Sequence, residues 1–314
     1  MDTLDRLNRW RESGTITVQQ YAHLRALVTK DRFSVFLELN VLLYLGVLAL
    51  VAGIATTIQK YFATLSDAAI LISLTLLFAG TLYYCFSRAK PFSSAAVDSP
   101  TLTFDYVLYF SCLVMSTELA FIEYRFSLFQ NHEDLYFFAA AVALFSFAYR
   151  FDNRLVLSLA LSSLAAAFGL RLTQFHMVHE DSLRLAGVGY SLLVSVTGLW
   201  LHRIGLKKHF LQSYLHIASN VLLISLLSGV MDPQRWPLYL VCLMIVSGGT
   251  IYFGVRFRSF AFVAYGVLYG YIGFAAKVLD GTRDFIGAML FVVTTGSAVV
   301  FSLVFLARRI GSAE

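Results

Sequence analysis

Charged side chains are scarce in this 314-residue sequence. Only 14% of the residues are Asp, Glu, Lys or Arg, whereas 58% are hydrophobic. Because soluble domains carry about a quarter charged residues, this composition excludes an ordinary water-soluble enzyme and a disordered chain. The three cysteines, Cys85, Cys112 and Cys242, lie within or at the ends of apolar stretches. We therefore expect neither a disulfide framework nor a cysteine metal cluster.

Motifs for nucleotide and nucleic-acid chemistry are also missing. The sequence has no Gly-x-x-x-x-Gly-Lys-Ser/Thr phosphate loop, no Gly-x-Gly-x-x-Gly after a strand and no Gly-x-Ser-x-Gly nucleophile turn. No basic stretch alternates with exposed aromatic residues, so we expect no nucleic-acid partner. The sequence assigns no catalytic residue and no cofactor.

Long apolar stretches dominate the chain. A bilayer core of roughly 30 Å needs about 20 apolar helical residues, so these stretches predict an all-α polytopic membrane protein in a lipid bilayer. A break with Arg150 and Arg154 divides two short spans, and we interpret it as a turn because burying two arginines in lipid is costly. The ten predicted spans are 39–58, 68–86, 103–124, 135–149, 155–170, 185–201, 211–230, 237–255, 259–278 and 285–307.

Lysine and arginine residues are divided unevenly between the two sides of these spans. The amino terminus, alternate loops and the carboxyl tail carry 17 of the 24, and the other loops carry 7. Cytoplasmic loops are enriched in these residues, so both termini are predicted to be cytoplasmic. The net charge of +5 is then explained by the orientation of the chain in the membrane. It does not indicate an acidic partner. Residues 1–38 are polar, so we expect the first span, rather than a cleavable signal peptide, to target the chain.

Residues 1–32 predict a small cytoplasmic helical hairpin before the first span. Gly14 is placed to end the first helix, and Thr17 with Gln20 has the spacing of a capping box for the second. Two helices of this size bury little apolar surface alone. We expect them to pack on the membrane domain, and docking to a second copy or to a protein partner is the alternative.

This amino-terminal pattern continues into the first span. It consists of Leu-x-x-Leu from Leu4, Gly-Thr-Ile-Thr from Gly14, Gln-Tyr from Gln20 and Leu-Gly-x-Leu-x-Leu-x-x-Gly from Leu45. Over roughly the first 90 residues the chain resembles an uncharacterised family of bacterial multi-pass membrane proteins, the type called domain of unknown function 2157. It departs from that pattern after Ile58, where the family usually has an Asn-Trp pair. The resemblance implies a bacterial plasma (inner) membrane location and no established activity.

A faint internal repeat has an offset of 106 residues. This offset relates Arg150-Phe151 to Arg256-Phe257, and Arg171 to Lys277. It predicts a tandem repeat of four spans, a parallel arrangement that some transporters use. Chance matching of short basic loops is the alternative. We divide the chain into the module 1–35, spans one and two (36–90), repeat A (91–205) and repeat B (206–314).

Polar side chains inside the predicted spans are the candidate functional residues, because a bilayer disfavours them. Glu118 in the third span can bind a proton or cation, hydrogen-bond a neighbouring helix or reach a wet vestibule. His216 and Asn220 share one face of the seventh span, and Tyr265 and Tyr269 share one face of the ninth. We predict that these five residues form an intramembrane polar relay or ligand-binding site. For the last four, helix packing is the alternative.

Two outer loops carry the same His-Glu-Asp triplet, at His132 and at His179. His176 lies three residues before the second triplet. Imidazole and carboxylate groups are suitable ligands for zinc, so His176 and His179 are the candidate metal ligands. A solvated acidic surface is the alternative, because no stronger metal-binding pattern accompanies them.

Three functional hypotheses follow. The leading one is a transporter of a small solute or ion that uses the polar relay. The second is a non-catalytic scaffold or sensor whose residues 1–32 recruit a partner. The third is a lipid-modifying enzyme that uses the outer loops, and the sequence favours a non-enzymatic role over this one. A polar cavity that joins Glu118, His216 and Asn220 would support transport, whereas separate helix contacts would weaken it.

Overall fold

The computed structural model describes residues 3–28, 36–61, 66–129, 132–174, 180–282 and 284–311. All regular structure in these residues is helical, which confirms the predicted all-α fold. The predicted module corresponds to α1 and α2, and each predicted span corresponds to one of the helices α3 to α12. The helices are α1 Thr3–Glu12, α2 Val18–Val28, α3 Phe36–Tyr61, α4 Asp67–Arg88, α5 Leu102–Phe126, α6 Glu133–Phe151, α7 Arg154–Gln174, α8 Glu180–Ile204, α9 Leu211–Val230, α10 Trp236–Arg256, α11 Phe260–Asp280 and α12 Phe285–Gly311.

Nine helices of the described part, α4 to α12, are long and apolar enough to cross a membrane. Helix α3 carries a shorter apolar stretch, Leu42–Thr57. Many large apolar side chains of these helices are exposed, an arrangement that suits lipid rather than water. Helices satisfy this environment because each pairs its backbone polar groups internally. The fold is therefore that of a polytopic membrane protein.

Local capping signals build the amino-terminal module as predicted. The Thr17 backbone N–H donates to Gln20 Oε1 at 2.9 Å, and the Gln20 N–H donates to Thr17 Oγ1 at 3.2 Å. Gly14 has a φ of 69° after the end of α1, the left-handed conformation that glycine favours. The Tyr21 hydroxyl then joins the helices by donating to Asn8 Oδ1 at 2.6 Å.

Consecutive membrane helices pair as hairpins. Helix α4 packs on α5, α6 on α7, α8 on α9, and α10 on α11. All four hairpins turn at the end of the bundle that carries Arg150 and Lys207, which we call the basic end. The tightest turn joins α6 and α7 through Asp152, whose φ of 58° is left-handed. Helices α6 and α7 are thus separate, in agreement with the interpretation of the arginine-flanked break as a turn.

The open end of each hairpin is closed by a cation. We call these four contacts the hairpin clamps, and the end of the bundle that contains them the clamp end. Three clamps join two helices that have no connecting loop at that end, and the clamp at Arg184 joins α8 to the turn after α9. The clamps are Arg125 to Asp67 at 2.5 Å, Arg171 to Asp134 at 3.2 Å, Arg184 to Asp232 at 2.8 Å, and Lys277 at 5.6 Å from the centre of the Trp236 ring.

Several features recur at the 106-residue offset. Helix α11 begins 106 residues after α7 begins. The left-handed residues that precede these helices, Asp152 with φ 58° and Arg258 with φ 54°, have the same offset. Buried small residues also correspond, as at Ala160 in α7 and Gly266 in α11. These correspondences support a repeat of α5–α8 by α9–α12, which remains a proposal.

Asp152, Lys207 and His209 form a buried group that we call the buried ion triad. It joins three connections at the basic end. The Asp152 carboxylate lies 3.0 Å from Lys207 Nζ and 2.5 Å from His209 Nε2, and the Asp152 and Lys207 side chains are only 2% and 1% exposed. Asp152 also accepts the Val97 N–H at 2.5 Å. The Lys207 N–H donates to the Ser94 carbonyl at 2.8 Å. The triad thereby holds the α4–α5, α6–α7 and α8–α9 connections together.

We predict that Asp152→Asn strongly destabilises the protein. Asparagine keeps the size of the side chain and tolerates the left-handed backbone, but it leaves the buried Lys207 without its counter-charge. Removal of one partner from a buried ion pair costs about 3–5 kcal/mol, and we expect a loss of that order in the free energy of unfolding in detergent. Asp98→Asn, at an exposed carboxylate of the same end, should change it by less than about 0.5 kcal/mol. Equal stability of the two variants would contradict the triad's role.

A second prediction concerns acid stability and the α8–α9 clamp. The Arg235 N–H, the Arg184 side chain and the Gln234 N–H, in that order, lower the pKa of Asp232 to about 2. The unfolded pKa is about 3.9, so this stabilisation is complete above pH 4 and is lost as the pH falls towards 2. Between pH 4 and 2 the thermal midpoint of the wild type should fall further than that of Asp232→Asn. Asp98→Asn should keep the wild-type slope, and parallel curves for the wild type and Asp232→Asn would refute the assignment.

Candidate functional site

Four of the predicted site residues meet between α9 and α11. We call His216, Asn220, Tyr265 and Tyr269 the α9–α11 cluster. The Tyr269 hydroxyl donates to Asn220 Oδ1 at 3.1 Å, and Asn220 Nδ2 donates to the His216 carbonyl at 2.8 Å. The rings of His216 and Tyr265 meet edge to face, with centres 5.7 Å apart. The structure therefore unites two polar pairs that the sequence placed on separate helices.

Small residues on α11 allow the close helix packing that positions this cluster. A Cβ added at Gly266 would overlap the backbone carbonyl of Ser247 on α10. Gly270 also lies against Ser247. Because glycine has no side chain, α11 approaches α10 closely on this face. The neighbouring Tyr265 and Tyr269 contact α9 instead.

The His216 ring is the unusual member of the cluster. Its Nδ1 atom is buried and has no hydrogen-bond partner among the described residues. The ring stacks on Phe262 with centres 4.5 Å apart and planes 6° from parallel. Phe262 also lines a groove of about 310 Å³ with Ser219 and Thr250. Since buried polar groups are nearly always hydrogen-bonded, this nitrogen is a candidate contact for a solute.

Glu118, the fifth predicted residue, lies in a different hairpin. Thr75 Oγ1 of α4 donates to Glu118 Oε1 of α5 at 2.5 Å, and the glutamate is half-buried. The residues of the α9–α11 cluster lie on α9 and α11, whereas Glu118 lies on α5. Glu118 thus makes the contact with a neighbouring hydroxyl that the sequence offered as an alternative. Depth along a helix can be estimated from sequence, whereas the neighbour that a side chain meets cannot.

The candidate metal ligands His176 and His179 lie outside the described residues. Within the described part, no group of three or more His, Cys, Asp and Glu side chains is placed to hold a metal ion. In the other triplet, His132 Nδ1 lies 3.9 Å from Asp134, which also takes part in the clamp with Arg171. The aspartate of this triplet therefore holds α6 to α7.

The sequence did not indicate a polar cavity of about 340 Å³ at the basic end. Asp105 in the first turn of α5 lines it and accepts hydrogen bonds from Ser99 at 2.7 Å and Asn153 at 2.9 Å. Asp152 and His209 line it as well. The cavity is an extension of the buried ion triad. The only sign of this cavity in the sequence is the pair Asp152-Asn153, which lies in the break between Arg150 and Arg154.

Comparison with known families agrees with the amino-terminal resemblance. Residues 8–157 match the family described as predicted membrane protein DUF2157. The match confirms the resemblance and extends it to the α6–α7 turn and the start of α7. It includes Glu118 and Asp152 and ends before the α9–α11 cluster. No curated protein and no solved structure matches the chain.

Proposed function

We propose that this membrane protein, whose residues 8–157 match the family described as predicted membrane protein DUF2157, transports a small polar solute or ion through the α9–α11 cluster. The observation that carries the proposal is the buried His216 Nδ1 without a hydrogen-bond partner in the described part of the chain. An unsatisfied polar atom within a membrane costs free energy, and a bound solute would recover it. Polar groups inside membrane-spanning helices commonly mark solute pathways.

The chemistry of the cluster suggests the class of solute. Asn220, Tyr269 and His216 offer hydrogen-bond donors and acceptors, while Phe262 and Tyr265 present aromatic rings. Such a site suits a small uncharged hydrogen-bonding solute, or a cation that contacts the ring faces. The adjacent groove of about 310 Å³ has the volume of a small-molecule site.

Glu118 has a separate role in this proposal. Its carboxylate bonds to Thr75 within the α4–α5 hairpin and supplies an intramembrane proton or cation site. Since the cluster lies between α9 and α11, the two sites would be coupled by movement of hairpins and not by direct contact.

The proposed orientation places the basic end in the cytoplasm of a bacterial cell, with both termini on that side. The support is the excess of lysine and arginine in the loops and termini of this end. The proposed repeat of α5–α8 by α9–α12 fits this picture, because some transporters are built from parallel repeats.

Uptake into liposomes that contain the purified protein tests the transport proposal. His216→Phe keeps a ring that can stack on Phe262 but removes the ring nitrogens, so we expect solute uptake to fall at least tenfold. Glu118→Gln should abolish the dependence of uptake on a proton gradient. His202→Phe, the same substitution at an exposed residue of α8, should leave uptake unchanged. Absence of uptake across a broad solute and ion screen, or equal rates for the two histidine variants, would reject the proposal.

A second candidate function is that of a scaffold that self-associates through α1 and α2. Its supporting observation is that two large apolar side chains of the module are exposed, Trp10 by 48% and Val18 by 74%. Exposed apolar surface of this kind can mark a contact between proteins. The partner proposed is a second copy of the chain.

The particle mass in mild detergent tests this candidate. If the module joins two copies, the double variant Trp10→Ser/Val18→Ser should convert a dimer into a monomer, because it removes the apolar contact. Gln19→Ser, at an exposed polar position of the same module, should leave the dimer intact. A monomeric wild type, or an unchanged mass in the double variant, would count against the scaffold.

A further inference from the structure

Glu118 and Thr75 form a polar pair on the lipid-facing side of the α4–α5 hairpin. Each lies eight residues from the end of its helix that faces the clamp end, or about 12 Å along the helix axis. Thr75 is exposed, and its neighbours Ile72 and Leu76 are exposed by 58% and 68%. Both helices are long and apolar enough to span a membrane. The half-buried Glu118 carboxyl group is therefore bordered by protein on one side and by lipid on the other.

The Thr75 hydroxyl contacts two oxygen atoms but has one hydrogen to donate. Its Oγ1 lies 2.5 Å from Glu118 Oε1 and 2.8 Å from the Leu71 carbonyl oxygen. A carbonyl group and an ionised carboxylate are both acceptors only. With Glu118 ionised, the single hydrogen serves one contact and leaves the other without any. With Glu118 protonated, the acid donates to Thr75 and Thr75 donates to Leu71, so each contact has its own hydrogen.

The sequence supplies no counter-charge for Glu118 within the membrane segments around it. The helices that pack on α5 are α3, α4, α6 and α7. Apart from Glu118, the membrane segments of these five helices contain no Asp, Glu, Lys, Arg or His. The segments are 45–59, 68–87, 106–122, 135–149 and 155–170. An isolated ionised carboxylate in an apolar medium is so costly that the group takes up a proton instead.

The other charged groups of these helices lie near the helix ends. Those towards the clamp end are Lys60, Asp67, Glu123, Arg125, Glu133, Asp134 and Arg171. The two arginines belong to hairpin clamps, and Glu123 accepts the Phe129 N–H at 2.9 Å. From α6, the Tyr136 hydroxyl donates to the Ser116 carbonyl at 3.2 Å. The next charge along α5 is Glu123, about 8 Å from Glu118, and a second carboxylate disfavours ionisation of the first.

A proton suits this pair better than a metal ion does. Ca²⁺ takes about six to eight oxygen ligands and Mg²⁺ requires a near-ideal octahedron, whereas this pair consists of one carboxyl group and one hydroxyl. Within the described part of the chain, no group of three or more His, Cys, Asp and Glu side chains could hold a metal ion. A proton on Glu118 requires only the neighbouring hydroxyl as its acceptor.

We infer that Glu118 and Thr75 form a proton-binding site, occupied at neutral pH by a proton on the Glu118 carboxyl group. When the proton leaves as H⁺, the Thr75 hydroxyl turns from the Leu71 carbonyl and donates to the carboxylate. Leu71 keeps its backbone bond within α4 in both states. Rebinding of H⁺ reverses these steps. The use of this proton in transport rests on the function proposed above, whereas its binding does not.

Infrared difference spectroscopy of the full-length protein in nanodiscs tests for the bound proton directly. A protonated carboxylic acid has a C=O stretching band at a frequency where carboxylates and amides have none. At neutral pH this band should be present in the wild type and lost in Glu118→Gln. Glu123→Gln, the same substitution on the same helix, should leave it in place. Equal spectra in this region for the wild type and Glu118→Gln would overturn the inference.

The same band tests the role of Thr75. Thr75→Val keeps the size of the side chain but removes the acceptor for the Glu118 proton. We therefore expect the band to persist and to move to a higher frequency. Thr81→Val removes a hydroxyl of α4 that donates to the Leu77 carbonyl at 2.9 Å, and it should leave the band where it is. An unmoved band in Thr75→Val would refute the pairing.

Carbodiimide labelling gives a measurement that needs no variant. Dicyclohexylcarbodiimide dissolves in the bilayer and reacts with protonated carboxyl groups. It should modify Glu118 of the wild type at neutral pH, as mapped by mass spectrometry, and the modification should decline as the pH is raised. Sodium or magnesium ions at constant ionic strength should not protect the site. Protection by either ion, or an unmodified Glu118, would reject a proton site.

The proton site and the proposed transport can fail separately. If no solute enters liposomes but the infrared band is present and lost in Glu118→Gln, the proton site stands and the transport proposal falls. If uptake occurs while the wild type lacks the band, the proton site is rejected and transport stands.

Discussion

Helix association without a hydrophobic driving force is the constraint on which the rest of this structure depends. Lipid is as apolar as leucine, so membrane helices are held together by close packing and by polar contacts. This protein uses both. Small residues such as Ala160 and Gly266 are buried in the hairpins, and charged groups act at the two ends. The buried ion triad gathers three connections at the basic end, and the hairpin clamps close the opposite end.

Helix α9 contributes residues to the α9–α11 cluster and to an apolar cavity that it forms with α7 and α8. Both lie between these charged ends. Helix α9 packs on α7 and α8 on one side and on α10 and α11 on the other. Towards the basic end it contributes His216 and Asn220 to the cluster with α11. Towards the clamp end it contributes part of the apolar cavity beside Arg184. In the proposed repeat of α5–α8 by α9–α12, α9 is the first helix of the second half, and the cavity lies where the two halves meet.

The sequence predicted which candidate site residues share a face of one helix. It did not predict which helix faces meet. A spacing of four residues placed His216 with Asn220, and Tyr265 with Tyr269, on common faces. Which faces meet depends on the rotation of each helix and on its neighbours. The sequence grouped Glu118 with His216 because both are polar and within spans, yet Glu118 bonds to Thr75. Arg184 looked like an ordinary outer-loop cation, because its burial comes from α9 and the turn after it.

The sequence by itself determined the helices, their order and the caps of the amino-terminal module. These features depend on the length of each apolar run or on residues within four positions of one another, as in the Thr17–Gln20 capping box. Only the tertiary structure decided the contacts between distant residues. His209 meets Asp152 across 57 residues, and Arg184 meets Asp232 across 48. Such pairs leave no local pattern, because either partner alone is an ordinary polar residue at a helix end.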